Sequence, residues 1–232
     1  MNESLLLLPG MMCDARLFEH QIAALSSNLS ITAIPLTGKS SISELAQAIL
    51  KTAPTRFALL GLSMGGIVAM EMIRLAPERI SRLALLDTNP LADTPERRLI
   101  RDQQIKRVQA GELHTIMRDE MKPNYLAEVA NKKQILELCM TMAEELGSRV
   151  FIEQSRALQT RTDQCETLKA VRVPTLIACG EYDSLCPVEK HLLMHELVAN
   201  SRISVISQAG HLPTLEQPEA TNQEIMRWLE AE

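Results

Sequence analysis

A serine in the pattern Gly-x-Ser-x-Gly, at residues 61–65, has the clearest chemical meaning in this sequence. The apolar run 57–60 before it is typical of a β-strand, and the pattern at 67–76 after it is typical of a helix. Both glycines lack a Cβ, which lets the strand and the helix pass each other on so sharp a turn. The pattern therefore predicts that Ser63 presents its hydroxyl at the carboxyl end of a sheet, with the Met64 N–H beside it at a helix N-terminus.

The same glycines also suit a phosphate-binding loop, because a glycine-rich turn that opens a helix binds anions. Neither G-x-x-x-x-G-K-[ST] nor G-x-G-x-x-G occurs in the chain, however. The flanking strand and helix therefore favour a nucleophilic serine over a phosphate site.

A serine hydroxyl needs a base that takes its proton, and the base works best when a carboxylate orients it. His211 follows the last predicted strand and so lies at the same edge of the sheet as Ser63. Asp183 follows the preceding strand at that edge and is our preferred acid. Glu181 is the second candidate, and Asp87 is a rival because it ends the strand after the serine-bearing helix.

The other histidines and the cysteines have no comparable setting. His191 and His195 are four residues apart on a predicted helix, and without an evident third ligand we expect a solvated face rather than a metal pair. We expect His20 and His114 to be structural or exposed. The five cysteines are scattered along the chain, which predicts reduced and mostly buried thiols. We expect Cys186 to lie near the acid without a role in the chemistry. The sequence thus predicts no metal and no cofactor.

Strand-like and helix-like patterns alternate along most of the chain, which predicts an α/β fold with a doubly wound, mainly parallel sheet of about six strands. The predicted strands are 5–8, 29–34, 57–60, 83–86, 173–179 and 203–206, and the predicted helices are 14–26, 42–51, 67–76, 187–199 and 218–230.

Residues 91–170 differ from the rest, with 13 Lys+Arg, 13 Asp+Glu and no strand-like run. Thr94 followed by proline is typical of a helix start, and Ile135, Leu138, Cys139, Met142 and Leu146 fall on one helical face. We expect a helical cap inserted after the fourth strand, with the core formed by 1–90 and 171–232. Its inner face is expected to form the substrate pocket, which includes one or more of Met117, Met121, Met140 and Met142.

Length and composition restrict the class of protein. The chain has 232 residues, is 46% hydrophobic and carries a net charge of -5, which fits one domain with a full core and a small-molecule substrate. A basic surface for nucleic acid or an anionic membrane is not expected. Without a signal-peptide pattern or a membrane-length apolar run, we expect a cytoplasmic protein. Five cations of the insertion could bind an anionic carrier or a coenzyme A moiety, or could form a solvated helix face: Arg97, Arg98, Arg101, Lys106 and Arg107.

Three motifs together resemble the α/β-hydrolase superfamily: Gly-Leu-Ser-Met-Gly-Gly at 61–66, Gly-x-x-Asp-x-x-x-Pro at 180–187, and Gly-His at 210–211 with Leu-Glu-Gln-Pro at 215–218. The resemblance implies a serine esterase or thioesterase that acts through an acyl-enzyme. The same superfamily also includes C–C bond hydrolases and lyases, which are alternatives here. A non-catalytic binding protein with the same fold is a further alternative.

The resemblance also implies an oxyanion hole made by the backbone N–H groups of Met64 and Met11. Met11 lies in the loop 9–12, where Pro9 stands in place of the family's usual histidine. The chain begins at the strand before this loop, so we expect a core that lacks the family's first two strands.

Overall fold

A six-stranded sheet forms the centre of the protein, and every strand pair within it is parallel, in the order β2-β1-β3-β4-β5-β6. The computed structural model describes residues 4–27 and 29–231. The predicted fold class is confirmed. The strands are β1 (Ser4–Leu8), β2 (Ser30–Ala33), β3 (Phe57–Leu62), β4 (Ile80–Leu86), β5 (Thr175–Gly180) and β6 (Ser201–Ile206).

The central strands are apolar on both faces because helices cover both sides of the sheet. Every residue of β3 and β5 is buried, whereas the residues of the edge strand β2 alternate between exposed and half-buried, and those of the edge strand β6 are exposed or half-buried except for Ile206. Since the strands are parallel, their carboxyl ends meet at one edge, where the loops after β1, β3, β4, β5 and β6 come together.

Two apolar layers sandwich the sheet. One layer contains the buried faces of three helices, Ile42–Thr52 (α2), Met64–Leu75 (α3) and Val188–Leu197 (α8), and the other contains those of Glu19–Leu25 (α1) and Pro218–Leu229 (α10). The predicted helix 14–26 begins as a 3₁₀ turn, Ala15–Phe18, capped by Asp14, before the α-helix itself. The helices of these layers are α1 (Glu19–Leu25), α2 (Ile42–Thr52), α3 (Met64–Leu75), α8 (Val188–Leu197), α9 (Pro213–Glu216) and α10 (Pro218–Leu229).

The chain between β4 and β5 is helical, as predicted. It contains α4 (Pro95–Gln109), α5 (Leu113–Thr115), α6 (Lys132–Gln159) and α7 (Cys165–Ala170), with a π-helical turn and a 3₁₀ turn between α5 and α6. The Thr94 side chain accepts a hydrogen bond from the Arg97 N–H, so α4 starts where the sequence predicts.

Helix α6 changes direction at Gly147, whose φ of 78° lies in the left-handed region. Ile135 and Met142, before the break, pack with the layer of α1 and α10. Val150 and Phe151, after it, pack with the layer of α2 and α3. One helix therefore contacts both layers. No helix within the described residues is long and apolar enough to cross a membrane.

Candidate active site

Ser63 occupies the tight turn between β3 and α3 with a φ of 54°, a conformation that L-residues adopt only where the surroundings impose it. A Cβ on Gly61 would lie 2.3 Å from the carbonyl oxygen of Gly65, and a Cβ on Gly65 would lie 1.9 Å from that of Leu8. Neither position accepts a side chain, which is the steric reason predicted for the two glycines of the motif. Ser63 N–H donates to the Leu86 carbonyl at 2.9 Å, which fixes the turn against β4.

Three residues from separate loops meet at the carboxyl edge of the sheet. The Ser63 hydroxyl lies 2.9 Å from Nε2 of His211, and Nδ1 of His211 lies 2.8 Å from Oδ2 of Asp183. With the proton on Nδ1, the ring donates to Asp183 and accepts from the serine. The structure therefore brings together the three side chains that the sequence predicts, and both His211 and Asp183 are buried.

The second oxygen of Asp183 accepts hydrogen bonds from the backbone N–H groups of Leu185 at 2.9 Å and Cys186 at 3.0 Å. Burial works to raise the pKa of Asp183, but the His211 ring and these two donors outweigh it and hold the pKa below its ordinary value. Asp183 is therefore ionised at neutral pH and can stabilise a protonated His211.

The two rival acids are placed differently. Glu181 is exposed and accepts a hydrogen bond from the Gln208 N–H. Asp87 is fully buried, accepts from the Gly180 N–H at 2.9 Å, and its other oxygen has no hydrogen-bond partner among the described residues. Burial and the neighbouring Asp183 charge raise the pKa of Asp87 well above its usual value. Asp87 is therefore protonated more readily than Asp183, whose charge opposes a second negative charge nearby.

Glu216 holds the loop that carries His211, a role that the sequence reasoning missed although the residue lies in the quoted 215–218 motif. Its carboxylate accepts from the N–H groups of Gly210, Leu212 and Ala127 at 2.8 to 2.9 Å. Burial raises the pKa of Glu216 above its ordinary value despite these three donors. The loop is thereby tied to the 125–127 segment, whose Tyr125 carbonyl accepts the His211 N–H at 2.7 Å.

The two residues expected to supply the oxyanion donors line the same cavity as Ser63. Met64 is the first residue of α3, where N–H groups have no acceptor within the helix. Met11 follows Gly10, on which a Cβ would lie 3.4 Å from the Ser63 Cβ, so this loop runs directly against Ser63.

The loop of Met11 is held by a buried residue of α6, in the segment between β4 and β5. The Met12 N–H donates to Oε1 of Gln154 at 2.9 Å, and the Gln154 amide donates to the Leu36 carbonyl at 2.8 Å. Gln154 belongs to α6 and was missed, since a single glutamine in a helical pattern carries no sequence signal. A helix of the insertion therefore fixes the loop that is expected to bind the oxyanion.

A cavity of about 340 Å³ opens on Ser63 and His211. Part of its wall comes from the insertion, including Ile100 of α4 and Leu158 of α6. Of the four methionines proposed for the pocket, Met121 lines this cavity. Met117 and Met142 are buried in the two apolar layers, one in each, and Met140 lines a separate groove.

His191 corrects the expectation of a solvated helix face, because it is fully buried beneath the site. Its Nε2 accepts a hydrogen bond from the Thr88 N–H at 3.1 Å, and the Thr88 hydroxyl donates to the Ser63 carbonyl at 2.8 Å. Burial lowers the pKa of His191 to about 4, so the ring is neutral and acts as an acceptor. His195 is half-buried against Ser201, while His20 and His114 are exposed.

All five cysteines are free thiols, and all except the half-buried Cys165 are buried. Among the described residues, Asp183, Cys186 and His211 form a cluster whose ligand atoms lie within 4.8 Å of one another. Burial raises the pKa of Cys186 to about 12, whereas a metal ligand must be a thiolate. The serine and the carboxylate already use both His211 nitrogens, so this donor set suits proton transfer rather than a metal.

The model of the alpha/beta hydrolase family matches residues 5–224, which is nearly the whole chain. The chain therefore belongs to the alpha/beta hydrolase family, as its motifs predict. Membership of this family supports the prediction that the protein is a hydrolase.

Two relatives and one solved structure match this chain over most of its length and most of theirs. A pimeloyl-[acyl-carrier protein] methyl ester esterase of Pectobacterium carotovorum is 27% identical, over 99% of this chain and 95% of the relative. A putative 2-succinyl-6-hydroxy-2,4-cyclohexadiene-1-carboxylate synthase of Bacillus subtilis is 28% identical, over 81% and 72%. The solved structure of a thermophilic esterase from Thermogutta terrifontis superimposes with a TM-score of 0.88 at 27% identity, covering 98% of this chain and 89% of that one.

Proposed function

We propose that the protein is a serine esterase that hydrolyses a carboxylic ester or thioester through an acyl-enzyme, with Ser63 as nucleophile, His211 as base and Asp183 as the orienting acid. The observation that carries this proposal is the continuous pair of hydrogen bonds, 2.9 Å from Ser63 to His211 and 2.8 Å from His211 to Asp183, on the wall of a cavity.

In the first half of the reaction, the Ser63 oxygen attacks the carbonyl carbon while its proton moves to Nε2 of His211. The N–H groups of Met11 and Met64 stabilise the oxyanion of the tetrahedral intermediate. The intermediate then releases an alcohol or thiol, which takes the proton from His211. In the second half, water gives a proton to His211 and attacks the acyl-enzyme, and the carboxylic acid leaves as Ser63 regains its proton.

The relatives support ester chemistry because two of the proteins described above are named esterases. One of them is named for a carrier-linked methyl ester, which makes a carrier-linked acyl group a reasonable form of substrate to test here.

We further propose that residues 91–170 act as a cap on a core formed by 1–90 and 171–232, since residues of α4 and α6 line the cavity over Ser63. A cap of this kind excludes water from the reaction.

A panel of acyl esters and thioesters, assayed for kcat/KM, tests the proposed function. We expect Ser63→Ala to reduce turnover by at least about a thousandfold, because the base then has no nucleophile to activate. Ser207→Ala is the matched control, because Ser207 is exposed in the loop after β6. Equal activity of the Ser63→Ala and Ser207→Ala proteins would rule out the mechanism.

A further inference from the structure

Two arginines on the cavity wall share a single carboxylate. Nε of Arg101, in α4, donates to Oδ2 of Asp93 at 2.6 Å, and Nη2 of Arg161 lies 3.1 Å from Oδ1 of the same residue. The arginine side chains are only 11% and 9% exposed. Both line the cavity that contains Ser63. The burial of Arg101 also corrects the solvated-face interpretation of this cationic cluster for that residue.

The charges around this cavity do not balance. The single charge of Asp93 neutralises one of the two guanidinium groups, so the three side chains together keep one positive charge. Arg97 and Lys190 add further cations to the cavity wall. Glu120 also lines the cavity, but its carboxylate is paired with Arg107. The wall near Ser63 therefore has an excess of positive charge.

Burial and mutual repulsion oppose this arrangement. Burial lowers the pKa of Arg101 and of Arg161, and each is lowered further by neighbouring arginines, while Asp93 acts in the other direction. A guanidinium nevertheless stays protonated in proteins. An uncompensated buried cation is costly, so the arrangement gains stability when an anion enters the cavity.

Arg101 also contacts a residue of the loop that runs against Ser63. Nη1 of Arg101 is 3.9 Å from the sulfur of Met11, in the loop that runs against Ser63. An anion bound at Arg101 would therefore belong to the molecule whose carbonyl Ser63 attacks.

A purely structural role accounts for only part of the geometry. Nε of Arg161 donates to the Leu91 carbonyl at 2.9 Å, so this arginine helps to fix the segment before α4. One arginine would be enough to neutralise Asp93, however. Each guanidinium has five N–H donors, and the contacts with Asp93, Leu91 and Met11 use only some of them.

We propose that Arg101 and Arg161 bind a carboxylate of the substrate, and that the enzyme acts on esters that carry a second, anionic carboxyl group. This proposal rests on the proposed function and names its substrate class. A carboxylate matches the planar fork of a guanidinium, and its single negative charge matches the single unpaired cation of the Arg101–Asp93–Arg161 group.

Kinetics with paired esters test the proposal. Mono-p-nitrophenyl adipate and p-nitrophenyl hexanoate share a leaving group and a chain length but differ in the terminal carboxylate. A second pair, 4-carboxyphenyl hexanoate and its methyl ester, places the carboxylate on the alcohol side. We expect the wild type to prefer the anionic member of at least one pair by about tenfold or more in kcat/KM, since hydrogen bonds to charged groups are strong.

Arg101→Gln and Arg161→Gln are informative variants because each leaves Asp93 paired with one remaining arginine, so no buried charge is left unpaired. We expect each change to reduce the preference for the anionic ester about tenfold. Arg98→Gln is the matched control, because Arg98 is exposed on the same helix as Arg101. The control should keep the wild-type preference.

A binding measurement separates this proposal from the proposed function. Calorimetry on Ser63→Ala should show tighter binding, by at least about tenfold, of monomethyl adipate than of dimethyl adipate or of 4-carboxyphenyl hexanoate than of its methyl ester, whether or not the wild type turns over esters. Equal affinity within both pairs, or a kinetic preference that is the same in the wild type and in both arginine variants, would overturn the proposal. Tighter binding of a phosphonate analogue than of the carboxylate would overturn the assignment to carboxylates.

Discussion

At the scale of single residues, the pKa values of two neighbouring buried carboxyl groups are shifted in opposite directions. His211 and two backbone donors hold the pKa of Asp183 below its ordinary value, whereas burial and the Asp183 charge raise the pKa of Asp87. Asp183 is therefore the better partner for a protonated His211.

Substitution of each acid by asparagine distinguishes their roles. We expect Asp183→Asn to lower kcat by about 10³- to 10⁴-fold, because the His211 tautomer and its protonated form both lose their support. Asp87→Asn should lower kcat less than about tenfold, since the amide has nearly the shape of the neutral acid. A larger loss in Asp87→Asn than in Asp183→Asn would reverse our assignment of the acid.

His191 predicts a pH dependence of stability. Burial lowers its pKa from 6.5 to about 4, so the folded state favours the neutral ring. This contribution is fully present above pH 6.5 and is lost as the pH falls towards 4, with a total of about 3 kcal/mol. We expect the difference in free energy of unfolding between wild type and His191→Gln, from urea titrations, to shrink by that amount between pH 7.5 and 4.

The comparison with His191→Gln isolates this histidine. Asp87 and Glu216 have raised pKa values and change stability in the opposite direction as the pH falls, but they titrate in both proteins and cancel in the difference. A difference that stays constant with pH would show that His191 is not the titrating group.

Single residues could be predicted from the sequence where a local motif signals them. Ser63 lies in such a motif, and His211 and Asp183 follow strands whose carboxyl ends must meet at one edge of a parallel sheet. Gln154, Glu216 and His191 have no such signal, because their roles depend on contacts with distant backbone groups. The sequence alone also left Asp183, Glu181 and Asp87 as alternatives, since all three follow strands at that edge.

At the scale of elements, the turn between β3 and α3 depends on close approach of the backbone. We expect Gly65→Ala to destabilise the protein by about 3 kcal/mol or more, because the new Cβ would meet the Leu8 carbonyl at 1.9 Å. Gly10→Ala is the matched control for folding, since its Cβ would meet nothing closer than 3.4 Å, and it should change stability by about 1 kcal/mol or less. Urea unfolding measures both changes, and equal stabilities would contradict the steric argument.

The elements themselves were well predicted because apolar periodicity is strong in the sheet and its covering helices. The start of β4 was missed by three residues, since Ser81 and Arg82 interrupt the apolar run that marks the strand. The break in α6 at Gly147 was also missed, because a lone glycine in a helical pattern is compatible with a continuous helix.

At the scale of the whole molecule, the segment between β4 and β5 supplies part of the cavity wall, the support of the Met11 loop and the support of the His211 loop. The sequence predicts the helical nature and position of this segment. It does not predict which of its charged residues are buried, because Arg101 and Arg161 break the rule that charges face solvent. Their burial follows from the shared carboxylate of Asp93.

The position of Met121 on the cavity wall predicts an effect on substrate size. Met121→Trp should fill part of the cavity and shift the ratio of kcat/KM for hexanoate over acetate esters by about tenfold towards acetate. The reaction of Ser63 with a small fluorophosphonate should be little affected. Met226→Trp is the matched control, since Met226 is exposed on α10, and an equal shift in that variant would count against a role of Met121 in the pocket.

The central claim is that Ser63 is an activated nucleophile, and covalent labelling tests it most directly. Intact-protein mass spectrometry after incubation with a small fluorophosphonate, followed by peptide mapping, identifies the residue that reacts. We predict a single adduct on Ser63 in the wild type and in Ser207→Ala, no adduct in Ser63→Ala, and a rate at least about a hundredfold lower in His211→Ala, because only an activated serine reacts. Absence of an adduct in the wild type, or the same adduct in Ser63→Ala, would contradict the account.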